Sequence, residues 1–287
     1  RFAFEELGIN TLLASHFSFN RQSERVIRKS GFRYLKHAAE SWRRWDGAVL
    51  DEELYLLERA DYPFEIGRWM ECFIKEMMAS FSDRVAFIGL QGSRARGEAN
   101  EDSDIDAVLI LERRSPEDLK TYREALRRLP WNAKACGFFS DLETLLCWDR
   151  ADLFQLYYDT TPYFGSLELL RPLIGSADIL RAVRIGACNL CHACTHNALY
   201  GGSRTALAGL YKAAVFVLQA ERFYETGVYL RRRSELLPAL SGRSAEILRI
   251  AELLRENADL SEAAFERYSA LLQEWAGELI RKYAEIV

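Results

Sequence analysis

The sequence predicts an α+β protein, with a small mixed sheet flanked by helices, a helical segment before it and a helical bundle after it. Two short apolar runs, Val85–Leu90 and Ile105–Leu111, have the length and composition of buried strands. Most of the remaining chain spaces its apolar residues at helical intervals, and turn signals such as Gly201-Gly202 separate the segments. These observations together favour a mixed core joined to helical domains.

The same patterns divide the chain into three predicted domains. Residues 1–80 are expected to form a helical N-terminal extension, because Arg21–Trp45 and Asp51–Arg59 carry periodic apolar positions. Residues 81–165 are expected to form the mixed-sheet core. Residues 166–287 are expected to form the helical bundle.

The core is expected to contain further elements around its two strands. A short helix is predicted near residues 93–98, and a longer one from Ser115 to Arg128, where Ser-Pro-Glu combines a capping serine with a proline in the first turn. A third strand is predicted at Ala133–Phe139. The bundle is expected to contain helices at residues 177–199, 203–224, 230–240, 243–257 and 261–286.

Composition limits the class of protein. Of 287 residues, 49% are hydrophobic and 28% are charged, which is typical of a globular protein. The net charge of −4 argues against a dedicated binder of duplex DNA. No run of 18 apolar residues occurs, so no membrane partner is expected. Six cysteines are few for this length, and a reducing, cytoplasmic location is expected.

The segment between the two predicted strands carries the most specific pattern. Gly92-Ser93 follows the first apolar run, and Asp104-Ile105-Asp106 opens the second. In a strand, Asp104 and Asp106 point to the same face and lie about 6–7 Å apart. Such a carboxylate pair can hold two divalent cations about 3.5–4 Å apart for phosphoryl chemistry. A glycine turn brings backbone N–H groups close to an anion, so the segment predicts a site for a nucleoside triphosphate and its metals.

This pattern resembles the nucleotidyltransferases of the DNA-polymerase-β superfamily, whose signature is an apolar strand, Gly-Ser, an intervening turn and Asp-apolar-Asp. The turn Arg94–Gly97 is similar to that of smaller bacterial members, and the helical C-terminal third resembles the companion domain of kanamycin- and streptomycin-type enzymes. The resemblance implies transfer of a nucleoside monophosphate from an NTP, with ATP expected, and release of pyrophosphate. It also implies two Mg²⁺ ions, with Mn²⁺ as an alternative, and a small polyhydroxylated acceptor similar to an aminoglycoside. A Rossmann site is excluded, because no G-x-G-x-x-G follows the first strand.

The resemblance assigns expected roles to individual residues. Asp104 and Asp106 are the expected metal ligands and central catalytic residues. A basic residue of the helical domain is expected to reach the triphosphate. The candidates are Lys212 and the run Arg231–Arg233, represented by its central residue Arg232. The residues of the core expected to bind phosphate offer a hydroxyl, a backbone N–H or a guanidinium, and they are Gly92, Ser93, Arg94, Arg96 and Ser103.

A third carboxylate, which the resemblance places on the next strand, is missing from Ala133–Phe139. Asp141 and Glu143, just past the end of that strand, are the expected catalytic substitutes, and Asp159 is a further candidate. Two hypotheses stay open. Either one of these acids completes the site, or the chain is a regulatory module that binds nucleotide with little or no transfer.

The segment Arg21–Arg44 holds eight basic residues against two glutamates, with aromatic residues interleaved. An amphipathic helix with a solvated basic face is the favoured interpretation. Nucleotidylation of a protein or RNA partner that binds this segment stays open as an alternative. The sequence specifies neither the oligomeric state nor the identity of the acceptor.

Overall fold

The computed structural model describes the following residues: 2–5, 7–59, 64–100, 103–256 and 260–284. Contacts between residues divide the chain into two units. The first contains Arg1–Ser80 and Pro116–Ala133, and the second contains Phe81–Ser115 and Lys134–Val287. The domain boundaries near residues 80 and 165 stay predictions.

Helices and strands alternate along much of the chain. Those up to residue 128 are α1 (Phe2–Glu5), β1 (Thr11–Phe17), α2 (Arg21–Lys29), β2 (Arg33–Arg43), β3 (Val49–Glu58), α3 (Ile66–Phe81), β4 (Val85–Gln91), α4 (Gly92–Arg96), β5 (Ile105–Leu111) and α5 (Asp118–Arg128). Those that follow are β6 (Ala135–Asp141), α6 (Leu142–Leu146), α7 (Arg150–Asp159), β7 (Thr161–Gly165), α8 (Ser176–His196), α9 (Arg204–Thr226), α10 (Arg233–Leu236), α11 (Gly242–Glu256) and α12 (Glu262–Lys282). A π-helical turn, Asn197–Gly201, extends α8.

The first unit contains an antiparallel three-stranded sheet in the order β1-β3-β2, so the prediction of a wholly helical N-terminal extension is wrong. The predicted helix Arg21–Trp45 is the short helix α2 followed by strand β2, and most of the predicted helix Asp51–Arg59 lies in β3. Strand β2 lies at an edge of the sheet and is exposed along nearly its whole length. Neither of its faces is therefore selectively apolar. Two shifts of register, between Tyr34 and Lys36 and between Ala38 and Trp42, further interrupt its alternation.

The helices of the first unit pack through aromatic side chains. Trp69 and Phe73 of α3 are buried and stacked, with ring centroids 5.2 Å apart. Phe73 meets Tyr122 of α5 edge-on at 6.5 Å, and Trp69 Nε1 donates to the carbonyl of Pro130 at 2.8 Å. An aromatic pair of this geometry contributes about 0.5–1.5 kcal/mol beyond the area it buries. These contacts fix α3 against α5.

The second unit contains a four-stranded sheet in the order β6-β5-β4-β7. Strand β5 is antiparallel to β4 and parallel to β6, which makes the sheet mixed, as predicted. Every residue of β5 except Asp106 is buried, as is typical of a central strand of a sheet that is covered on both faces. The predicted strand Ile105–Leu111 therefore coincides with β5.

The C-terminal helices are also confirmed, and with the mixed sheet they establish the predicted α+β class. Helices α8, α9, α11 and α12 share one core, in which Leu190, Tyr211, Leu248 and Trp275 are each nearly or fully buried. The predicted helix at residues 230–240 is shorter, since only α10 and a 3₁₀ turn form there. The predicted helix ends at residues 257 and 286 lie outside the described residues. In the part of the chain that is described, no helix is long and apolar enough to cross a membrane.

Candidate active site

The register of the β4–β5 hairpin brings the glycine-serine turn to the aspartate pair. Gln91, the last residue of β4, pairs with Asp106. Gly92 follows with a φ of 71°, a conformation that favours glycine. A Cβ atom at Gly92 would lie 1.9 Å from Oδ2 of Asp106, which no side chain could tolerate. The turn and the carboxylate are therefore in direct contact only because residue 92 is glycine.

Asp104 and Asp106 flank a fully buried residue. Ile105 points into the core with 0% exposure, whereas Asp104 is exposed and Asp106 is partly exposed. Both aspartates line the same cavity. Among the described residues, no group of three or more His, Cys, Asp or Glu side chains is arranged to hold a metal ion. Two carboxylates suit Mg²⁺ or Mn²⁺ when substrate phosphate oxygens and water supply the remaining ligands, so the donor set fits that use.

The cavity that contains this pair has a volume of about 910 Å³. Its walls come from the β4–α4 turn, the start of β5, the first residues of β6, one face of α7, and helices α9, α10 and α11. All of these elements belong to the second unit. A volume of this size is at the upper end of the range for small-molecule sites.

Arg94 holds the loop before β5 in place. Its Nε donates to the carbonyl of Asp104 at 2.9 Å, and its Nη2 donates to the carbonyl of Ser103 at 2.5 Å. Burial lowers the pKa of Arg94, while the nearby charges of Asp104 and Asp106 oppose that shift. The hydroxyl of Ser103 donates to Oδ1 of Asn100 at 2.9 Å. Arg94 thus binds the backbone that carries the aspartates.

Arg96 is buried between two carboxylates. Only 7% of its surface is exposed, and it donates to Oδ2 of Asp159 at 2.8 Å and to Oε2 of Glu98 at 3.2 Å. Burial opposes its charge, but Asp159 and Glu98 raise the pKa of Arg96 above its usual value. Burial raises the pKa of Asp159, and Arg96 offsets part of that rise. Arg96 therefore ties the Gly-Ser turn to the end of α7.

The three consecutive arginines differ in their surroundings. Arg231 donates to backbone carbonyls at the end of α7 and to Oγ1 of Thr161 at 2.8 Å. The side chain of Arg232 is 60% exposed and is absent from the described residues that line the cavity. Arg233 lines the cavity with 8% of its surface exposed, and burial lowers its pKa. Of this run, the structure thus brings Arg233 to the cavity, and a phosphate-binding role for Arg232 stays a prediction.

Lys212 also lines the cavity. It lies on α9 with an exposed side chain, and no ion pair links it to another described residue. An exposed ammonium group in this cavity is available to an anionic ligand.

The parallel register of β5 and β6 separates Asp141 from the aspartate pair. Asp106 pairs with Cys136, whereas Asp141 pairs with Leu111 at the other end of the strand. Five residues of strand correspond to roughly 16 Å. Cys136 therefore lies beside Asp106, on the strand to which the resemblance assigns the third carboxylate.

Asp141 and Glu143 have local contacts instead. Asp141 caps α6, accepting from the backbone N–H of Thr144 at 2.9 Å and from its hydroxyl at 3.0 Å. Glu143 is largely exposed and lies 3.7 Å from Arg113. Neither acid is among the described residues that line the cavity. The structure therefore places both acids away from the cavity, and a catalytic role for either of them stays a prediction.

Helix α7 provides polar residues that the sequence prediction missed or ranked low. Asp152, Gln155 and Asp159 all line the cavity. Their spacing of three and four residues puts them on one helical face, a signal that was present in the sequence. Phe138 and Trp148 form an edge-to-face pair at 5.6 Å on the same side, and only the tertiary fold brings them together.

Parts of the chain are similar to known proteins. Residues 71–143 match the family model described as a nucleotidyltransferase domain, which confirms that the chain contains the predicted kind of domain. Spectinomycin adenyltransferase AAD(9) from Enterococcus faecialis, solved with ATP and spectinomycin, is 11% identical, with 75% of this chain and 99% of that chain covered and a TM-score of 0.49. A nucleotidyltransferase-like protein from Exiguobacterium sibiricum is 12% identical, with 75% of each chain covered and a TM-score of 0.29. No curated protein sequence matches the chain.

Proposed function

We propose that this chain, which contains a nucleotidyltransferase domain, transfers a nucleoside monophosphate from an NTP to a hydroxyl group of a small-molecule acceptor. ATP is the expected donor, and the domain match supports the reaction class. The observation that carries the proposal is that Asp104 and Asp106 line one cavity with Gly92 and Ser93. That arrangement combines a cation site with a turn that can approach a phosphate.

In the proposed reaction, the acceptor oxygen attacks the α-phosphorus and forms a new P–O bond. The bond from the α-phosphorus to the oxygen bridging to the β-phosphate breaks, and pyrophosphate leaves with that electron pair. Asp104 and Asp106 would hold Mg²⁺, which when bound supplies charge neutralisation at the phosphates. The backbone at Gly92 and the hydroxyl of Ser93 would orient the phosphates for in-line attack.

The cations of the cavity divide into two groups in this proposal. Lys212 and Arg233, on the helical side, would bind the phosphates of the NTP. Arg94 and Arg96 act as positioning residues, because their guanidinium groups are engaged by the loop backbone and by carboxylates. This division revises the expectation that both turn arginines bind phosphate directly.

The acceptor would bind on the side of α7 and β6. Asp152 is exposed there and lines the cavity, so its carboxylate is able to accept the proton of the acceptor hydroxyl. The ring pair of Phe138 and Trp148 lines the same cavity and offers it an apolar face. An acid and an aromatic face in one cavity suit a hydroxylated acceptor that carries positive charge, which supports the small-molecule hypothesis.

The experiment that tests this proposal works with an unidentified acceptor. The protein is incubated with α-³²P-labelled NTPs, Mg²⁺ and either the small-molecule or the macromolecular fraction of a cell extract. Labelled small molecule and free pyrophosphate are expected with the wild type and with E143Q, but not with the double variant D104N/D106N. Label confined to protein or RNA would show that the acceptor is a macromolecule and not a small molecule. Absence of label from both fractions would overturn the transfer proposal.

A further inference from the structure

Charge is divided between two sides of the cavity. The basic side chains on the helical side are Lys212, Arg233 and Arg255, from α9, α10 and α11. The acidic side chains on the side of β5 and α7 are Asp104, Asp106, Asp152 and Asp159. A polyanionic donor is attracted to the first side and repelled by Asp152, the exposed acid of α7, whereas the charge of Asp159 is paired with Arg96. Phosphates held between the aspartate pair and these cations would put the attached nucleoside within reach of the helical side.

The helical side has a recess lined by small and apolar residues. They are Thr205, Ala208, Gly209 and Phe216 of α9, and Ala251 and Leu254 of α11. The α9 residues are spaced so that they lie on one face of the helix, and Lys212 lies on the same face. A Cβ atom at Gly209 would have no described heavy atom of its surroundings within 4 Å, so open space lies directly over this residue.

A second observation points to a ligand at this wall. Arg233 is 92% buried, since 8% of its surface is exposed, and it lines the cavity. Its Nε and Nη1 atoms are buried without a hydrogen-bond partner in the described part of the chain. Glu98 is the carboxylate that lies near it, with Oε2 3.9 Å from Nε, and Arg96 also binds Glu98. The guanidinium charge is therefore incompletely compensated by protein, as expected beside an anionic ligand.

We propose that the recess between α9 and α11 is the nucleoside slot of the donor site, and that it accepts purine and pyrimidine bases with little discrimination. The proposal rests on the function proposed above and extends it to donor specificity. Thr205 is the one member of the recess whose side chain can form hydrogen bonds. A site that reads a base by hydrogen bonds rejects the wrong one by about 10⁴-fold or more, whereas an apolar site discriminates far less.

The open space over Gly209 allows a direct test. G209F is expected to put a phenyl ring into the recess, since a Cβ atom at Gly209 meets no described heavy atom within 4 Å, and G209L is a second, smaller variant. A213L is the matched control, because Ala213 lies on α9, is exposed and is not among the described residues that line the cavity. Isothermal titration calorimetry with Mg²⁺ measures the affinities of non-hydrolysable ATP, GTP and UTP analogues and of tripolyphosphate. Thermal unfolding identifies any variant that fails to fold.

In the wild type, the three analogues are expected to bind within about tenfold of one another. G209F and G209L should weaken all three by about tenfold or more, with tripolyphosphate affinity nearly unchanged, and A213L should match the wild type. Unchanged analogue affinity in both folded variants, or a preference for one base above about 100-fold, would overturn the slot while leaving the transfer proposal intact. A wild type that binds neither tripolyphosphate nor any analogue would overturn both.

Discussion

Gly92 and Asp106 are in contact across the β4–β5 hairpin, so that a Cβ atom on Gly92 would lie 1.9 Å from Oδ2 of Asp106. This contact links the two halves of the sequence pattern, the glycine-serine turn and the aspartate pair. The pairing of Gln91 with Asp106 fixes it through the backbone register. Any side chain at residue 92 must therefore displace the carboxylate that is proposed to bind metal.

The first prediction uses two glycines with the same backbone conformation. Gly92 and Gly97 both have a φ of 71°, but a Cβ atom at Gly97 has no described neighbour within 4 Å. G92A should lower kcat/KM by about 100-fold or more, because misplacement of a catalytic group by about 1 Å has an effect of that size. G97A should cost only the roughly 1–2 kcal/mol of stability that a left-handed alanine requires, with kcat/KM nearly unchanged. Steady-state kinetics and thermal unfolding of both variants check this prediction. Equal losses of activity in the two would show that the contact with Asp106 is unimportant.

The second prediction concerns the two acids that the sequence placed in the site. D141A removes the cap of α6, so it should destabilise the protein by about 1 kcal/mol. E143Q changes an exposed side chain and should leave stability nearly unchanged. Both variants should keep kcat/KM within about threefold of the wild type, because neither acid lines the cavity. Thermal unfolding and steady-state kinetics measure the two effects. A loss of about 100-fold in kcat without a loss of stability would show that the substituted acid takes part in catalysis and would contradict this prediction.

Much of the core was predictable because its signals are local. Apart from Asp106, strand β5 is buried and continuously apolar, and only ten residues separate the Gly-Ser element from the Asp-Ile-Asp element in the sequence. The N-terminal strands were missed for a physical reason. Strand β2 is an exposed edge strand whose register shifts twice, which removes the alternation that identifies strands. The Asp46-Gly47 dipeptide between β2 and β3 was the available hairpin signal.

The residues that α7 and α10 contribute to the site were not predictable in the same way. Asp152 and Asp159 share a helical face that the sequence displays, but their approach to Asp106 depends on how α7 packs against the sheet. Which of the three consecutive arginines lines the cavity depends on contacts between distant segments. Arg231 donates to a carbonyl at the end of α7, and Arg233, at the start of α10, lines the cavity. Sequence spacing carries no information about such long-range contacts.

The third prediction distinguishes Arg233 from Arg232. R233Q should raise the KM for the NTP by about tenfold or more, because a charged hydrogen bond to phosphate is lost, with a smaller effect on kcat. R232Q should leave KM within about twofold, since the side chain is 60% exposed and does not line the cavity. Initial rates over a range of NTP concentrations measure both parameters. R233K retains the charge and should recover part of the loss. Thermal unfolding measures whether each variant is folded. A larger effect of R232Q than of R233Q would contradict the assignment.

The fourth prediction concerns the cysteines. Burial raises the pKa of Cys194 to about 11, so at pH 8 only about one thiol in a thousand is ionised, and alkylation should be slow until the pH approaches that value. Cys136, Cys147 and Cys188 are exposed and should react first with iodoacetamide. An ATP analogue with Mg²⁺ should protect Cys136 selectively, because it lines the cavity. Peptide mass spectrometry over time measures each rate. Modification of Cys194 as fast as Cys188, or no protection of Cys136, would disagree with the structure.

The central claim is that Asp104 and Asp106 form, with the Gly92–Ser93 turn, one cation-dependent nucleotide pocket. Isothermal titration calorimetry of a non-hydrolysable ATP analogue, with Mg²⁺ and with EDTA, tests it most directly. The wild type and E143Q should bind about tenfold or more tightly with Mg²⁺ than with EDTA, whereas D104N/D106N should lose that difference and remain folded. Equal affinity of the wild type with Mg²⁺ and with EDTA, or a Mg²⁺ effect that survives in D104N/D106N, would contradict the account.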